Sequence, residues 1–201
     1  MQNVLAPVQF EITETLAKRK SIRAFDIQKP VLRSYIMSLL EAARWSPSCF
    51  NDEPWRFIVW DKNDNNEAYQ KAFDCLGEWN QKWVRTAPVI IASFAVSKFR
   101  EGDKDNRWAE YDTGAAANSI CIQAASIGLQ AHQMGGYSAD KLKEVFNVPT
   151  DVTSMAMIAI GYPGDIEVLD ESYHEGENKI RTRKPFETNF YKDTWDSSIL
   201  A

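Results

Sequence analysis

The sequence predicts an α+β fold, and its length, composition and element pattern support this prediction. The chain has 201 residues, which is enough for one domain with a sizeable core. Hydrophobic residues make up 44% and charged residues 25%, as is ordinary for a globular protein. Strand-like and helix-like segments alternate irregularly, and neither a repeat nor a composition break marks a second domain. We therefore expect a single domain over residues 1–201.

Hydrophobic periodicity predicts five helical regions. Pro30 opens the second region, because proline suits the first turn of a helix, and Pro47 stops it. The third region is interrupted near Gly77, and Gly128 caps the fourth, which is the longest. The predicted helical regions span residues 11–18, 30–44, 67–83, 108–127 and 139–146.

Four segments are predicted strands. Residues 55–60 are rich in aromatic and β-branched side chains, and residues 88–97 form a continuous apolar run that is typical of a buried strand. Residues 129–134 and 154–161 are the other two. From Pro163 onward the chain is polar and turn-rich, without a helical or strand period. Such a tail is either disordered or an arm that wraps a partner.

Charge and cysteine content restrict the partners and the compartment. The net charge of −5 argues against a nucleic-acid partner. The three cysteines are odd in number and widely spaced, so they form neither a disulfide framework nor a metal site and suit a reducing compartment. The N-terminus lacks the basic and apolar regions of a signal peptide. The longest apolar stretch, residues 88–96, is about half the roughly 18–20 residues of a membrane helix. We therefore expect a cytoplasmic protein with no membrane partner.

Residues 19–23 read Arg-Lys-Ser-Ile-Arg and form a candidate anion site. If this segment is extended where the preceding helix ends, alternate side chains share one side. Arg19, Ser21 and Arg23 would then converge on one phosphate, which suits the donor fork of arginine. A second pair, Arg181 and Arg183, stands in an otherwise acidic tail. The alternative is a basic helix end with solvated charges.

Residues 46–55 form a polar turn between a predicted helix and a predicted strand. They offer hydroxyls, an amide and backbone N–H groups to a flat polar ligand. Proline, serine and asparagine are also common in an ordinary turn that ends a helix, and this is the alternative.

Five motifs in this order resemble those of the FMN-dependent nitroreductases. The first is Arg19-x-Ser21-x-Arg23. The second, residues 47–55, matches the pattern Pro-Ser-x-x-Asn-x-Gln-Pro-Trp except at Glu53. The others are Asp112-Thr113-Gly114 through Gly128-Leu129 with Gln133-Met134-Gly135-Gly136-Tyr137, then Ile160-Gly161-Tyr162-Pro163, and Arg181-Thr182-Arg183-Lys184-Pro185. The resemblance covers about residues 16–185, which is most of the chain.

The resemblance implies a nitroreductase-like fold, with a central, mainly antiparallel sheet flanked by helices. It also implies a homodimer with two FMN molecules at the interface, in which residues 164–201 are an arm that wraps the partner subunit. The implied activity is transfer of electrons from NADH or NADPH to nitroaromatic, quinone or related electron-poor acceptors by a ping-pong mechanism.

The resemblance further assigns residues to FMN. The two arginine clusters meet at the FMN phosphate, where Lys20 contacts the cofactor through its backbone. The 47–53 turn reaches across the dimer interface to the flavin that the other subunit mainly binds. The Gly135–Gly136 backbone lies against the flavin ring and supplies an N–H to N5, because glycine permits close approach. The implied cofactor-binding residues are Arg19, Lys20, Ser21, Arg23, Pro47, Ser48, Cys49, Asn51, Glu53, Gln133, Met134, Gly135, Gly136, Arg181 and Arg183.

The 47–53 turn departs from the family pattern at two positions. Cys49 stands where a second serine is frequent, and Glu53 stands where glutamine is usual. A carboxylate only accepts hydrogen bonds, and its charge near the flavin would lower the reduction potential. Alternatively, Glu53 pairs with Arg56 or points away from the site.

The predicted 108–127 helix is rich in small residues, so it packs either against the sheet or against its twin in a dimer. The resemblance favours the dimer. On this helix, Asp112 is expected to be a satisfied polar residue. Elsewhere in the chain, His132 and His174 have no partner residues nearby in the sequence, and both are expected to be structural.

No catalytic triad, paired carboxylates or metal-ligand spacing is visible, and no Gly-x-Gly-x-x-Gly follows a strand. In a flavoenzyme, hydride transfer belongs to the cofactor, so we assign no catalytic residue. Three alternatives stay open. The first is an FMN-dependent relative that performs reductive dehalogenation, flavin cleavage or ring oxidation. The second is a flavin-binding storage or sensing protein, and the third is a binding module without flavin.

Overall fold

Four strands form a single antiparallel sheet in the order β1-β2-β4-β3. The computed structural model describes residues 5–102 and 104–200. Residues 1–4, on which the prediction that no signal peptide is present partly rests, lie outside this range. The strands are β1 (Trp55–Asp61), β2 (Val89–Val96), β3 (Gln130–Met134) and β4 (Val152–Gly161). The α+β prediction, with its antiparallel sheet, is confirmed.

Strand β2 lies inside the sheet, and its composition explains this place. It pairs with β1 on one side and with β4 on the other, and all of its residues except Val96 are buried. A continuous apolar run fits a strand that is covered on both faces. Strand β3 lies at the edge beside β4 and leads directly into the Gly135–Gly136 turn.

Seven helices flank the sheet within the described residues. The predicted 67–83 region divides into two helices at Gly77. The helix predicted from Pro30 begins at Arg33, because Leu32 is extended, with φ −63° and ψ 140°. The helices are α1 (Glu14–Lys18), α2 (Arg33–Arg44), α3 (Asn66–Phe73), α4 (Glu78–Val84), α5 (Ala109–Ser126), α6 (Ala139–Val145) and α7 (His174–Asn178).

Two apolar cores hold these elements on the sheet. One contains Phe25, Tyr69 and Trp83, and the other joins α2 and α5 through Leu39 and Ile120. All of these side chains are almost fully buried. Full burial of one such side chain contributes about 1.5–3 kcal/mol relative to exposure. The second core makes α5 a rigid support for the residues that contact it.

The C-terminal segment has more regular structure than its sequence predicted. Short 3₁₀ turns form at Ile166–Val168, Glu171–Tyr173 and Phe186–Thr188, and α7 follows the second of them. The prediction of a tail without helix was therefore wrong for this part. A helix of five residues is too short to show a 3.6-residue period, and here tertiary contacts of the buried Tyr173 and Glu177 hold it.

Residues beyond α7 return toward the N-terminal segment. Phe186 packs edge-on against Phe10, with ring centroids 5.1 Å apart, and Phe190 lies 4.4 Å from Phe186. Trp195 is 83% exposed. Among the described residues, no helix is both long enough and apolar enough to cross a membrane.

Candidate functional site

Residues 19–23 run as a non-helical segment directly after α1, as predicted. The helix ends because Arg19 leaves the helical region, with φ −54° and ψ 123°. Ile22 is buried in the core, whereas Ser21 is exposed and the basic residues of the segment are half-buried. Arg19 Nη1 donates to Ser21 Oγ over 3.4 Å, so these two side chains share one side. The Lys20 backbone N–H donates to Gln130 Oε1 at 2.9 Å, and this bond holds the segment against β3.

The C-terminal segment brings a second arginine cluster to the same place. Arg181 donates through its guanidinium to the backbone carbonyls of Arg19 and Ala17, the latter at 2.7 Å. Burial lowers the pKa of Arg181, and the positive charges of Arg19 and Arg183 lower it further. The guanidinium of Arg181 therefore lies within electrostatic reach of those of Arg19 and Arg183.

Two members of this cluster, Arg19 and Arg183, have no carboxylate partner in the part of the chain that the structure describes. Among the described residues, neither Arg19 nor Arg183 forms an ion pair, and Arg183 Nη1 donates only to the neighbouring carbonyl of Thr182. Like charges at short range repel, and a bound anion would relieve this repulsion. The arrangement fits a phosphate group.

Arg23 lies in a different environment from Arg19. Its Nη1 forms an ion pair with Glu177 Oε1 at 3.1 Å, and the Glu177 side chain is 1% exposed whereas that of Arg23 is 30% exposed. Arg23 Nε and Glu177 Oε2 are buried and have no hydrogen-bond partner in the described part of the chain. Lys20 Nζ donates to the backbone carbonyl of Glu177. Glu177 therefore joins α7 to the 19–23 segment and offsets one of its charges.

The turn after β3 presents two N–H groups that have no partner among the described residues. Both of its glycine carbonyls are occupied, because Gly135 O accepts from the Tyr137 N–H at 3.1 Å and Gly136 O accepts from the Gly77 N–H at 2.9 Å. In contrast, neither the Gly135 N–H nor the Gly136 N–H makes a hydrogen bond within the described residues. Both glycines are exposed, so both donors, including that of Gly136, are open to a ligand. Met134 is buried just before it.

Gln133 and His132 connect β3 to its surroundings. Gln133 Nε2 donates to the buried Cys121 Sγ at 3.4 Å, while His132 Nδ1 hydrogen-bonds to the Ile22 carbonyl at 2.8 Å. The His132 ring also stacks on Trp83, with centroids 4.6 Å apart. Burial lowers the pKa of His132, and the charge of Arg23 adds to this effect, so the imidazole is neutral. These contacts agree with the structural role expected for this histidine.

The 47–53 turn has an unusual backbone. Phe50, Asn51 and Glu53 have φ values of 54°, 53° and 51°, in the left-handed region. Each such residue costs about 1–3 kcal/mol unless its surroundings hold it there. Two of the hydrogen bonds that hold the turn use side-chain acceptors: the Cys49 N–H donates to Asp112 Oδ2 at 2.9 Å, and the Glu53 N–H donates to Ser48 Oγ at 3.0 Å.

Asp112 is therefore a satisfied polar residue, as expected, and it fixes the turn to α5. The alternative in which the Glu53 carboxylate pairs with Arg56 is wrong for this structure. Arg56 Nη1 donates instead to the backbone carbonyls of Glu53 and Trp55, at 3.0 and 2.8 Å.

The structure brings some predicted site residues together and leaves others apart. The 19–23 segment, β3 and Arg181 share hydrogen bonds. No described contact joins the 47–53 turn to them, and Phe50 in this turn is 90% exposed. Sequence reasoning missed Gln130, Asn80 and Glu177, whose side chains bind the 19–23 segment or the Gly135–Gly136 turn. No local signal could have found them, because their partners are 56–157 residues away in the chain.

Comparisons with known proteins agree with this architecture. A solved structure described as an oxidoreductase containing FMN is 29% identical, covers 96% of this chain and 97% of its own, and superposes with a TM-score of 0.88. A nitroreductase family protein from Clostridium difficile is 21% identical, covers 92% and 99% of the two chains, and has a TM-score of 0.70.

A curated relative from Thermus thermophilus, named NADH dehydrogenase, is 23% identical over 179 residues, which are 74% of this chain and 84% of the relative. A sequence model of the nitroreductase family matches residues 16–162. This match includes the 19–23 segment, the 47–53 turn and the Gly135–Gly136 turn. The chain therefore belongs to the nitroreductase family.

Proposed function

We propose that this chain is an FMN-dependent oxidoreductase that transfers electrons from NADH or NADPH to nitroaromatic, quinone or related electron-poor acceptors. The observation that carries the proposal is the arginine cluster around residues 19–23, where Arg19 and Arg183 have no carboxylate partner among the described residues. A phosphomonoester carries about −1.5 to −2 charge at neutral pH and would offset this cluster.

The described residues fit FMN both at its phosphate and at its flavin ring. Arg19, Ser21, Arg181 and Arg183 would hold the phosphate, and the Lys20 backbone would contact the cofactor from the same segment. Arg23 would act through its pair with Glu177, which reduces its availability to the phosphate. At the other end, the open Gly136 N–H would donate to the flavin ring, beside Gln133, Met134 and Gly135.

When bound, FMN supplies hydride acceptance and electron transfer. The protein's task is then to bind, orient and exclude water. Because the described residues form one candidate FMN site and FMN can hold electrons between substrates, nicotinamide and acceptor would use that site in turn. This is a ping-pong mechanism.

We further propose that the site is completed by a second copy of the chain. The 47–53 turn makes no described contact with the 19–23 segment of its own chain, yet one hydrogen bond to Asp112 and one within the turn, to Ser48, keep it in a fixed, exposed shape. Pro47, Ser48, Cys49, Asn51 and Glu53 would then contact the flavin of the partner. Residues 164–201 would form an arm of the single domain, residues 1–201, that wraps this partner.

The relatives support this proposal. One solved structure is described as containing FMN, and the relative from Thermus thermophilus is named an NADH dehydrogenase.

We also place the protein in the cytoplasm. Its three cysteines are free, which suits a reducing compartment.

The test is an anaerobic absorbance scan of the purified protein with FMN, recorded before and after addition of NADH and, separately, NADPH. We expect flavin bands that bleach with one or both nucleotides and return when a quinone is added. Protein that stays colourless after incubation with FMN and removal of the unbound cofactor would refute the cofactor assignment. Flavin bands that persist with both nucleotides would refute the donor assignment and favour a dehalogenating, flavin-cleaving or binding-only relative.

A further inference from the structure

Helix α4 holds the Gly135–Gly136 turn through a side chain that no motif includes. The Gly136 carbonyl accepts two hydrogen bonds of 2.9 Å, one from the Gly77 N–H and one from Asn80 Nδ2. Gly77 is the N-cap of α4, and Asn80 lies within its first turn. The turn is therefore fixed to the start of this helix by one backbone donor and one side-chain donor.

The orientation of the Asn80 amide is itself determined by a neighbour. Trp83 Nε1 donates to Asn80 Oδ1 at 3.2 Å, so the other end of the amide, the NH₂ group, must face Gly136. Trp83 is fully buried and stacks on His132, which hydrogen-bonds to the Ile22 carbonyl. A continuous set of contacts thus joins the Gly135–Gly136 turn to the 19–23 segment.

We propose that Asn80 is a positioning residue for FMN: by holding the Gly136 carbonyl, it fixes the direction of the Gly135–Gly136 turn and aims the open Gly136 N–H at the flavin ring. This inference rests on the proposed function. Aspartate at this position keeps the acceptor for Trp83 but has no donor for the Gly136 carbonyl, and its charge would repel that oxygen. An amide is therefore required, not merely a polar side chain.

The chain offers a direct readout of this amide. Gly135–Gly136 is its only Gly-Gly pair among nine glycines, so protein labelled with 1-¹³C,¹⁵N-glycine gives a single amide resonance coupled to a labelled preceding carbonyl. That resonance belongs to Gly136. In the wild type we expect it to shift downfield when FMN is added to the apoprotein, because its N–H gains an acceptor.

In Asn80→Asp and Asn80→Ala we expect this shift to be lost or reduced and the dissociation constant for FMN, measured by fluorescence quenching, to rise about tenfold, the usual effect of one lost hydrogen bond. Lys82→Ala, an exposed change on the same helix, is the matched control and should behave as the wild type. A normal shift and normal affinity in both Asn80 variants would overturn the proposal.

Loss of folding in both variants would also overturn it, since Asn80 would then act on the fold rather than on the site. A different result is expected if the proposed function itself is wrong and the wild type does not bind FMN. In that case FMN leaves all glycine resonances of the wild type unchanged, and no comparison among variants is needed to see it.

Discussion

At the scale of single residues, Arg19 has the clearest expected effect. It has no ion-pair partner among the described residues and shares its side of the segment with Ser21. Arg19→Ala should weaken FMN binding about 10- to 100-fold, as expected for one charge-assisted hydrogen bond. Fluorescence titration of the apoprotein would measure this. Arg33→Ala, which removes an exposed arginine on α2, is the control and should leave the affinity unchanged.

His132 gives a pH dependence of stability. Its pKa in the folded chain is lower than its usual value near 6.5, mainly because it is buried. Below about pH 6.5 the unfolded chain therefore binds a proton that the folded chain does not, so stability is present above this pH and falls as the pH decreases.

The loss should reach at most about 1.4 kcal/mol per pH unit for this one group. Urea unfolding of the wild type and of His132→Phe, which keeps a ring against Trp83, should be compared between pH 7.5 and 5.5. We expect a shallower decline in the variant. Equal slopes in the two proteins would show that His132 does not contribute.

At the scale of elements, the end of α5 depends on Gly128, whose φ is +80°. A Cβ at this position meets nothing within 4 Å, so any cost of substitution comes from the backbone. Gly128→Ala should destabilise the chain by about 1–2 kcal/mol, the cost of a left-handed conformation for an L-residue. Gly128→Asn should cost less, because asparagine tolerates this region. Thermal unfolding of the two variants tests this, and an equal loss in both would contradict it.

The sequence indicated those elements whose patterns are local. Strand β2 shows a long apolar run and α5 ends at a glycine, so both could be placed within about two residues. The 19–23 segment was also placed correctly. Helix α7 and the contacts of Asn80 and Glu177 could not be predicted, because each depends on a partner far away in the chain rather than on a repeating pattern.

At the scale of the whole molecule, α5 exposes a face that a second copy would cover in the proposed dimer. Gly114 lies in the middle of this face, and a side chain there would meet nothing within 4 Å in the single chain. Gly114→Arg should therefore leave the fold of each chain intact but prevent dimer formation and weaken FMN binding.

Sedimentation analysis together with FMN titration would test this. Gln70→Arg, an exposed change on α3, is the control and should stay dimeric. A monomeric Gly114→Arg protein that binds FMN normally would show that the 47–53 turn of a second copy is not needed for the cofactor.

The hydrogen bond from Arg181 to Arg19 has a consequence for biosynthesis, since it joins residues 162 positions apart. At about 5–20 residues per second, the ribosome needs roughly 10–30 seconds between adding the first of these arginines and the second. During that interval the nascent chain can form α1, α2 and much of the sheet. Two of the four residues proposed to bind the phosphate, Arg181 and Arg183, have not yet been added. Uptake of FMN should therefore follow translation, so a cell short of the cofactor would accumulate complete, folded apoprotein rather than stalled chains.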